Sequence, residues 1–342
     1  MLTIGRRHGC SAWIGLALLV GTAGLFLAGA DFAVPEVAAA QKLTFTLDFE
    51  YAGRHAYYFV ALDKGFYREV GLDVEIARGS GSADAIRAVA AGRAPLGFAD
   101  TGTLVISRTN HGLPVKVVAV VYNRAPHCIF CLEDAHVRTP KDLEGKKIAT
   151  PPGSASTTMF PAYVRATGIK ADTITRVAVD TSALPAVLAS RQVDCVTLFY
   201  VAGPLLERRL APQKITRLLY ADAGLEFYSN GIIVSDTFLK ENPDVVRRFV
   251  AATVKGMEAA FADPAEAGRI MNKHHPQIEP ALGQAEIEIV RELAVTPLTR
   301  ARGLGYIDPK KMEQTRDVVI EAFQVSRRLP IEDFYAPGFA GK

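Results

Sequence analysis

The sequence lacks the short motifs on which common catalytic and metal sites depend. It has no G-x-S-x-G nucleophile elbow, no H-E-x-x-H zinc motif and no dinucleotide-binding glycine fingerprint. The formal charge is only +3, from 39 basic and 36 acidic residues that are scattered along the chain. This balance does not form the basic stripe of a nucleic-acid-binding protein or a polybasic membrane patch. A protein whose work is binding needs none of these features.

The N-terminus has the pattern of an export signal. Arg6, Arg7 and His8 form a charged start, Trp13–Ala30 is apolar, and the small residues 37–40 precede Gln41. We therefore expect residues 1–40 to be a signal peptide and the mature protein to be periplasmic. The apolar stretch is also long enough to remain as an anchor, so a membrane-tethered form is the alternative.

Cysteine is scarce, with 4 in the whole chain. Three lie beyond the expected signal, an odd number that does not fit a disulfide-stapled small fold. Cys128 and Cys131 should point to opposite faces of an extended segment, which disfavours a shared metal or a disulfide between them. His274-His275 is too distant to complete a zinc motif. We expect Cys128, Cys131 and Cys195 to be buried apolar residues, and no metal site.

Strand and helix patterns alternate along the chain, which predicts an α/β protein. A length of 342 residues favours two globular units over one. Val115–Val121 is a continuous apolar run, as in a strand buried on both faces. No Pro/Ser-rich linker separates the two halves, so we expect two lobes joined by a hinge, with a cleft between them. Clefts of this kind are preferred small-molecule sites.

The most informative segment is Leu47–Ile76. It follows a predicted strand at Leu43–Leu47 and contains a polar aromatic loop and a predicted helix at Tyr57–Tyr67. Gly71 is placed to end the helix in a left-handed conformation before a second strand, Asp73–Ala77. The first loop therefore lies at the carboxyl end of a parallel strand, where open α/β sheets bind ligands.

This segment resembles the NMT1/THI5-like (SsuA/THI5-like) periplasmic substrate-binding proteins of ABC importers. A second segment, Gly231–Ala262, resembles the family's strand, N-P turn and long helix. The residues of the first segment that match the family pattern are Leu47, Asp48, His55, Phe59, Val60, Ala61, Gly65, Phe66, Tyr67, Gly71, Leu72, Asp73 and Val74.

The resemblance implies a type II periplasmic binding protein fold, in which each lobe is a mixed sheet flanked by helices and the ligand lies in the cleft between lobes. Residues 41–129 plus 229–342 would form lobe 1, and residues 130–228 would form lobe 2. The implied function is capture of a small polar ligand, with heteroaromatic molecules among the candidates, by hinge closure. The implied partner is the membrane permease of the importer, and the protein would be a monomer without a cofactor.

Two departures from the family pattern affect the ligand. Phe49 stands where the family often has tryptophan, and Tyr51-Ala52 stand where binders of pyrimidine precursors tend to have Pro-Asn. A surface for ring stacking is retained, but the polar contacts need not be. A heteroaromatic molecule is the ligand that we expect first, and sulfonates, nitrate-like anions and aromatic carboxylates are the alternative ligands. An alternative function is that of a sensor domain built on the same fold.

The candidate ligand-binding residues come from loops at strand ends and from helix starts rich in small hydroxyl residues. A carboxylate can accept from an amino group, an aromatic ring can stack, and a hydroxyl-rich helix start exposes backbone N–H groups. Each of these residues could equally serve as a helix cap or core residue. The candidates are Asp48, Phe49, Glu50, Tyr51, His55, Ser80, Gly81, Ser82, Asp100, Thr101, Gly102, Asn123, Ser154, Ala155, Ser156, Thr157, Tyr200 and Tyr228.

One branch of the family is enzymatic and makes the thiamine pyrimidine from pyridoxal phosphate and one of its own histidines. The resemblance aligns that branch's Schiff-base lysine with Ala99 and its sacrificed histidine with Thr103. The branch's cysteine-rich motif has no counterpart in Leu225–Asn230. Without the amine and the imidazole this chemistry cannot proceed in the same way, so we expect no catalytic residue.

Overall fold

The computed structural model describes residues 40–325 and 327–341. The predicted signal peptide lies outside the described residues except for Ala40. No helix in the described part of the chain is long and apolar enough to cross a membrane. Two five-stranded mixed sheets, each flanked by helices, organise residues 40–341. The α/β class predicted from the sequence is therefore confirmed.

The first sheet has the strand order β2-β1-β3-β10-β4, in which β10 runs antiparallel to both of its neighbours. Its strands are β1 (Gln41–Thr46), β2 (Leu72–Ala77), β3 (Leu96–Asp100), β4 (Val115–Val120) and β10 (Asn230–Ser235). The second sheet has the order β7-β6-β8-β5-β9, in which β5 is antiparallel to both neighbours. Its strands are β5 (His127–Leu132), β6 (Lys147–Thr150), β7 (Thr175–Ala178), β8 (Cys195–Phe199) and β9 (Ile215–Leu219).

Helices surround both sheets. Those that follow the strands of the first sheet, or belong to the C-terminal part, are α1 (Ala56–Asp63), α2 (Phe66–Glu69), α3 (Ser82–Ala90), α4 (Thr101–His111), α9 (Asp236–Glu241), α10 (Pro243–Ala262), α11 (Pro264–His274), α12 (Pro280–Ala294), α13 (Pro297–Arg302) and α14 (Pro309–Phe323). Those of the second lobe are α5 (Ala155–Thr158), α6 (Phe160–Thr167), α7 (Leu184–Ala189) and α8 (Gly203–Leu210). Helix α14 packs against both α4 and α6, so it contacts both lobes.

The predicted helix Tyr57–Tyr67 is divided in the structure. Gly65 has a φ of 78°, in the left-handed region, and separates α1 from α2. Glycine adopts this conformation at little cost, which explains why the helix can break there. The apolar spacing continues across the break, so the sequence pattern did not predict it. Gly71, with a φ of 72°, ends the unit as expected.

Strand β4 lies at an edge of its sheet, yet its apolar residues are buried. The C-terminal segment covers this edge, because the backbone N–H of Val117 donates to Phe334 and that of Ala336 donates back to Val117. Val120 donates in the same way to Gly305. An exposed apolar edge strand would invite pairing with another chain, and this segment prevents it.

The chain crosses between the sheets twice. The first crossing lies between Val120 and His127, and the second between Leu219 and Asn230. All of β5 belongs to the second sheet, so the first crossing precedes the boundary expected at 129/130 by a few residues. The continuous apolar pattern of β5 gives no sign in the sequence of where the lobe changes.

The cysteines depart from the sequence-based expectation. All three are buried, but Cys131 and Cys195 form a disulfide between β5 and β8, leaving Cys128 as the free thiol among the described residues. The two bonded residues face each other in the antiparallel pairing of these strands. Because the two cysteines are 64 positions apart, the sequence gives no sign that they are neighbours.

Removing the disulfide should destabilise the second lobe. A bridge that closes a loop of 64 residues restricts the unfolded chain, and its loss typically costs roughly 2–5 kcal/mol. Urea unfolding of the Cys131→Ala/Cys195→Ala double variant measures this loss, with Cys128→Ala as the control for removing a buried sulfur. Equal stability of the double variant and the control would contradict the expectation.

Candidate ligand cleft

A cavity of about 760 Å³ lies between the lobes. The first lobe lines it with the loop after β1 and with one face of α12. The second lobe lines it with the start of α5, with α7 and with α8. The loop predicted from Leu47–Ile76 therefore forms one wall. The cavity is large enough for a drug-sized organic molecule.

Asp48 organises the wall that follows β1. Its carboxylate accepts hydrogen bonds from Arg54 Nη2 at 2.9 and 3.1 Å, from His55 Nε2 at 3.0 Å and from Asn230 Nδ2 at 2.7 Å. The four side chains are buried. A single carboxylate thus joins the end of β1, the 3-10 turn Gly53–His55 and the start of β10.

The protonation states in this network follow from burial and charge. Burial opposes the charge on Asp48, but the Arg54 guanidinium and the His55 N–H outweigh it, so the pKa of Asp48 lies below its usual range. Burial, reinforced by the Arg54 charge, lowers the pKa of His55 to about 4. At neutral pH His55 is therefore uncharged with its proton on Nε2, facing Asp48, and Nδ1 has no hydrogen-bond partner. Asp48 and Arg54 balance each other's charge.

Arg54 also reaches the second lobe. Its guanidinium lies over the ring of Phe199, at the end of β8, with 5.6 Å between the guanidinium carbon and the ring centroid. Nη1 is 3.5 Å from the hydroxyl of Tyr122, in the first crossing. Both Arg54 and Phe199 line the cavity. The network around Asp48 is therefore in contact with the opposite wall.

The aromatic residues of the loop after β1 differ in their surroundings. Tyr51 stacks on His275 with ring centroids 3.8 Å apart, and its hydroxyl donates to the Ile76 carbonyl. Phe49 is half-buried, lines the cavity and has no aromatic partner among the described residues. Glu50 also lines the cavity but forms an exposed ion pair with Arg78 at 3.1 Å. Phe49 therefore presents the more available ring.

The predicted hydroxyl-rich helix start in the second lobe lies at the cavity, but its hydroxyls are partly engaged. Ser154 caps α5 by accepting from Thr157 N at 3.2 Å. Ser156 Oγ donates to the Leu198 carbonyl at 2.9 Å. Ser154, Ala155 and Ser156 line the cavity, whereas Thr157 does not.

The Asp100-Thr101-Gly102 segment serves the framework. Asp100 is fully buried and accepts from Thr103 N at 2.6 Å and from Ser229 Oγ at 2.8 Å. Burial opposes the charge on Asp100, but His127 and the hydrogen bonds outweigh it, so its pKa lies below the usual range. Thr101 Oγ1 donates to the Ser229 carbonyl at 2.6 Å. This segment joins α4 to the second crossing and lies outside the cavity lining.

The lobes touch beside the cavity. The backbone N–H of Ala83 donates to the Gly153 carbonyl of the other lobe at 3.3 Å. Gly81, with a φ of 144°, allows this approach, since a Cβ there would lie 2.5 Å from the same oxygen. On another side, Arg208 of α8 forms an ion pair with Glu279, which precedes α12.

Several predicted site residues therefore meet at the cavity and others do not. The lining includes Asp48, Phe49, Glu50, Tyr51, Ser82, Ser154, Ala155 and Ser156. The candidates outside the lining are His55, Ser80, Gly81, Asp100, Thr101, Gly102, Asn123, Thr157, Tyr200 and Tyr228. Of these, Tyr228 accepts from Asp308 N, and Asn123 lines a separate cavity next to the first crossing.

Sequence reasoning missed four notable lining residues: Arg54, Phe199, Arg209 and Glu286. Together with Arg78, two of these residues bring arginine side chains to the cleft. Arg54 adjoins the candidate His55 in the sequence, but Glu286 lies in the middle of a long amphipathic helix. Nothing in its spacing distinguishes Glu286 from an exposed helix residue. No group of three or more His, Cys, Asp or Glu suited to a metal occurs in the part of the chain that the structure describes.

Glu286 is 2% exposed and its Oε2 accepts the backbone N–H of Arg54 at 2.9 Å. Burial raises the pKa of Glu286 to about 7, although the hydrogen bond and the charge of Arg54 act in the opposite direction. An acid with a raised pKa holds its proton more tightly in the folded protein. Its contribution to stability is therefore full below about pH 4.5 and is lost as the pH rises through 7.

Comparison with known proteins identifies related sequences. A family model described as NMT1/THI5 like matches residues 52–267. The riboflavin-binding protein RibY of Chloroflexus aurantiacus is 26% identical over 305 residues, which are 87% of this chain and 86% of the relative. The formylaminopyrimidine-binding protein of Halalkalibacterium halodurans is 25% identical over 218 residues, or 64% and 66% of the two chains. A yeast 4-amino-5-hydroxymethyl-2-methylpyrimidine phosphate synthase is 25% identical over 247 residues, 69% of this chain and 72% of the enzyme.

The solved structures confirm the fold. The alkanesulfonate-binding protein SsuA of Xanthomonas axonopodis, bound to MOPS, superposes with a TM-score of 0.71 at 14% identity. The match covers 88% of this chain and all of that one. At this identity the likeness concerns architecture alone, and it agrees with the two-lobed fold expected from the sequence.

Glu286→Gln should stabilise the ligand-free protein at alkaline pH. The wild type should lose about 3 kcal/mol of unfolding free energy between pH 4.5 and 8 from this group, because its pKa rises from 4.5 to about 7 on folding. The glutamine variant should lack this decline. Urea unfolding at pH 5 and pH 8 measures it, with Glu258→Gln on the exposed face of α10 as the control. Parallel declines in wild type and Glu286→Gln would contradict the assignment.

Proposed function

This chain belongs to the NMT1/THI5-like family, and we propose that it is the extracytoplasmic solute-binding component of an ABC importer. Its ligand would be a small, uncharged heteroaromatic molecule, captured as the two lobes close. The observation that carries the proposal is the cavity between the lobes, of about 760 Å³, which has aromatic and apolar walls and a few buried polar groups. Cavities with this composition suit organic ligands.

The size and lining favour a ring system larger than a single pyrimidine. Phe49 presents a ring without an aromatic partner among the described residues, and Phe199 lies on the opposite lobe. Apolar side chains of α8 and α12, such as Leu206 and Leu282, extend the cavity. The relative that binds riboflavin covers the larger part of this chain, which supports a flavin-sized ligand over a pyrimidine.

A sulfonate or nitrate ligand is the second candidate, and the arginines of the cavity are the observation that favours it. Arg54 is already balanced by Asp48, and Arg78 by Glu50. Arg209 is the lining arginine without an ion pair in the described ranges, and it is exposed. Binding an anion beside the buried Glu286 would also bring like charges together whenever that carboxyl is ionised. The heteroaromatic ligand is therefore favoured.

The pyrimidine synthase reaction is not supported as the function of this chain. Ala99 and Thr103, which align with the reactive lysine and histidine of that branch, lie outside the cavity lining. Ala99 is buried in β3, and the hydroxyl of Thr103 donates to Asp100 at 2.8 Å. Neither side chain can form a Schiff base. We therefore propose a non-enzymatic role.

The export pattern at residues 1–40 supports a periplasmic location, and the disulfide between Cys131 and Cys195 agrees with an oxidising compartment. The proposed partner is the importer's membrane permease, which would recognise the closed form of a monomeric protein. These assignments follow from the proposed role in transport.

Calorimetric titration of the mature protein with riboflavin, formylaminopyrimidine, an alkanesulfonate and nitrate tests the proposal. Riboflavin or formylaminopyrimidine should bind, and Phe49→Ala should weaken that binding by about tenfold, because a stacked ring contributes roughly 0.5–1.5 kcal/mol beyond the area that it buries. The unfolding midpoint of Phe49→Ala should stay near that of the wild type. Tight binding of an anion alone would replace the heteroaromatic assignment with the anion-binding one.

Gly81→Ala should weaken ligand binding by hindering lobe closure. The added methyl group would meet the Gly153 carbonyl across the cleft, and a φ of 144° disfavours any side chain. Affinity should fall at least tenfold, and small-angle scattering should report a larger radius of gyration with ligand present. Gly92→Ala is the matched control, because its φ is also positive but nothing lies within 4 Å. Equal affinity of the two variants would contradict this role.

A further inference from the structure

The cavity is lined by the buried carboxyl group of Glu286, and only one of its two oxygens accepts a hydrogen bond of normal geometry from a described residue. Oε2 of Glu286 accepts the Arg54 N–H at 2.9 Å, and the Gly53 N–H faces the same carboxylate. No described residue forms a hydrogen bond with Oε1, which belongs to a side chain of the cavity lining. The free oxygen is therefore the one available to a ligand.

Among the described residues, no buried cation that lacks another partner lies beside Glu286, and the lining Arg78 is exposed and paired with Glu50. On the 3-10 turn, Arg54 is paired with Asp48, and His55 is uncharged at neutral pH. On the first crossing, burial keeps the pKa of the Tyr122 hydroxyl above its usual range, so the group stays neutral. Helix α8 contributes Arg209, which is exposed, while α10 and α11 add no charged residue to the lining. An ionised Glu286 would thus add a buried charge without a buried counter-ion to the cavity wall.

We propose that Glu286 binds the ligand as a neutral carboxylic acid, donating its Oε1–H to a ring nitrogen or carbonyl acceptor of an uncharged heteroaromatic molecule. This inference rests on the proposed function and adds the residue that selects the ligand. Because Oε2 must accept from the backbone, the proton belongs on Oε1. The pKa of about 7 in the ligand-free protein keeps this form available at neutral pH.

The proposal makes binding dependent on pH with a defined sign. Ligand binding to the protonated form raises the pKa of Glu286 further, so the complex takes up a proton when it forms above pH 7. Affinity should be highest below pH 7 and should weaken by roughly tenfold per pH unit above it, until the pKa of the complex is reached. Binding through an ionised carboxylate would give the opposite slope.

Calorimetric titration with riboflavin and formylaminopyrimidine at pH 6 to 9 tests this sign. At pH 8, buffers of different ionisation enthalpy should report uptake of about one proton by the wild type. Glu286→Gln should bind with an affinity independent of pH and without proton uptake, because its amide N–H occupies the donor position at every pH. Glu286→Leu, which can neither donate nor accept, should weaken binding at pH 6 by at least thirtyfold. Glu258→Gln should retain the wild-type pH profile.

Each outcome bears on the proposal. Binding that strengthens with rising pH, or a Glu286→Gln variant that keeps the wild-type slope, would overturn the role of Glu286 and leave the proposed function intact. Wild-type affinity in Glu286→Leu at pH 6 would do the same. Failure of the wild type to bind either probe would overturn the heteroaromatic assignment together with this inference. If Glu286→Leu does not fold, the slope and the proton uptake of Glu286→Gln decide the question.

Discussion

The burial of one carboxylate, Asp48, constrains most of the first lobe's face of the cleft. A buried charge without partners would be strongly unfavourable, so Arg54, His55 and Asn230 must stay in contact with it. Arg54 in turn positions the backbone N–H that Glu286 accepts and places its guanidinium over Phe199. The carboxylate therefore determines, through one arginine, where a helix of the first lobe and a ring of the second meet the cavity.

The sequence predicted those strands and helices whose apolar residues form a local pattern. The continuous apolar run Val115–Val121 predicted a buried strand, and periods of two and of about 3.6 residues predicted the βαβ unit at Leu47–Ile76. Both are present with small shifts at their ends. The helix break at the left-handed Gly65 was not predicted, because the apolar spacing continues across it. The family pattern contained Asp48 and His55, although the structure gives His55 a role in holding Asp48 rather than a place in the cavity lining.

What the sequence could not provide are contacts between distant parts of the chain. Arg54 and Glu286 are 232 positions apart, and the disulfide joins cysteines separated by 64. A carboxylate within an amphipathic helix has the same local pattern whether it faces solvent or a cavity, so only the packing of α12 against the 3-10 turn distinguishes Glu286. The hydroxyl-rich helix starts could be predicted because a capping side chain bonds to the backbone only a few residues away. The same local hydrogen bonds explain why several of these residues stabilise the fold.

The C-terminal segment that covers β4 determines the order in which the two sheets can be completed. Every strand of the second sheet lies within residues 127–219, so these strands can pair once this contiguous stretch has been synthesised. The first sheet needs β10 for its centre and residues near Phe334 for its edge. The edge of the first sheet can therefore be covered only after residues well beyond the last strand of the second sheet have been synthesised, so the first sheet is completed after the second.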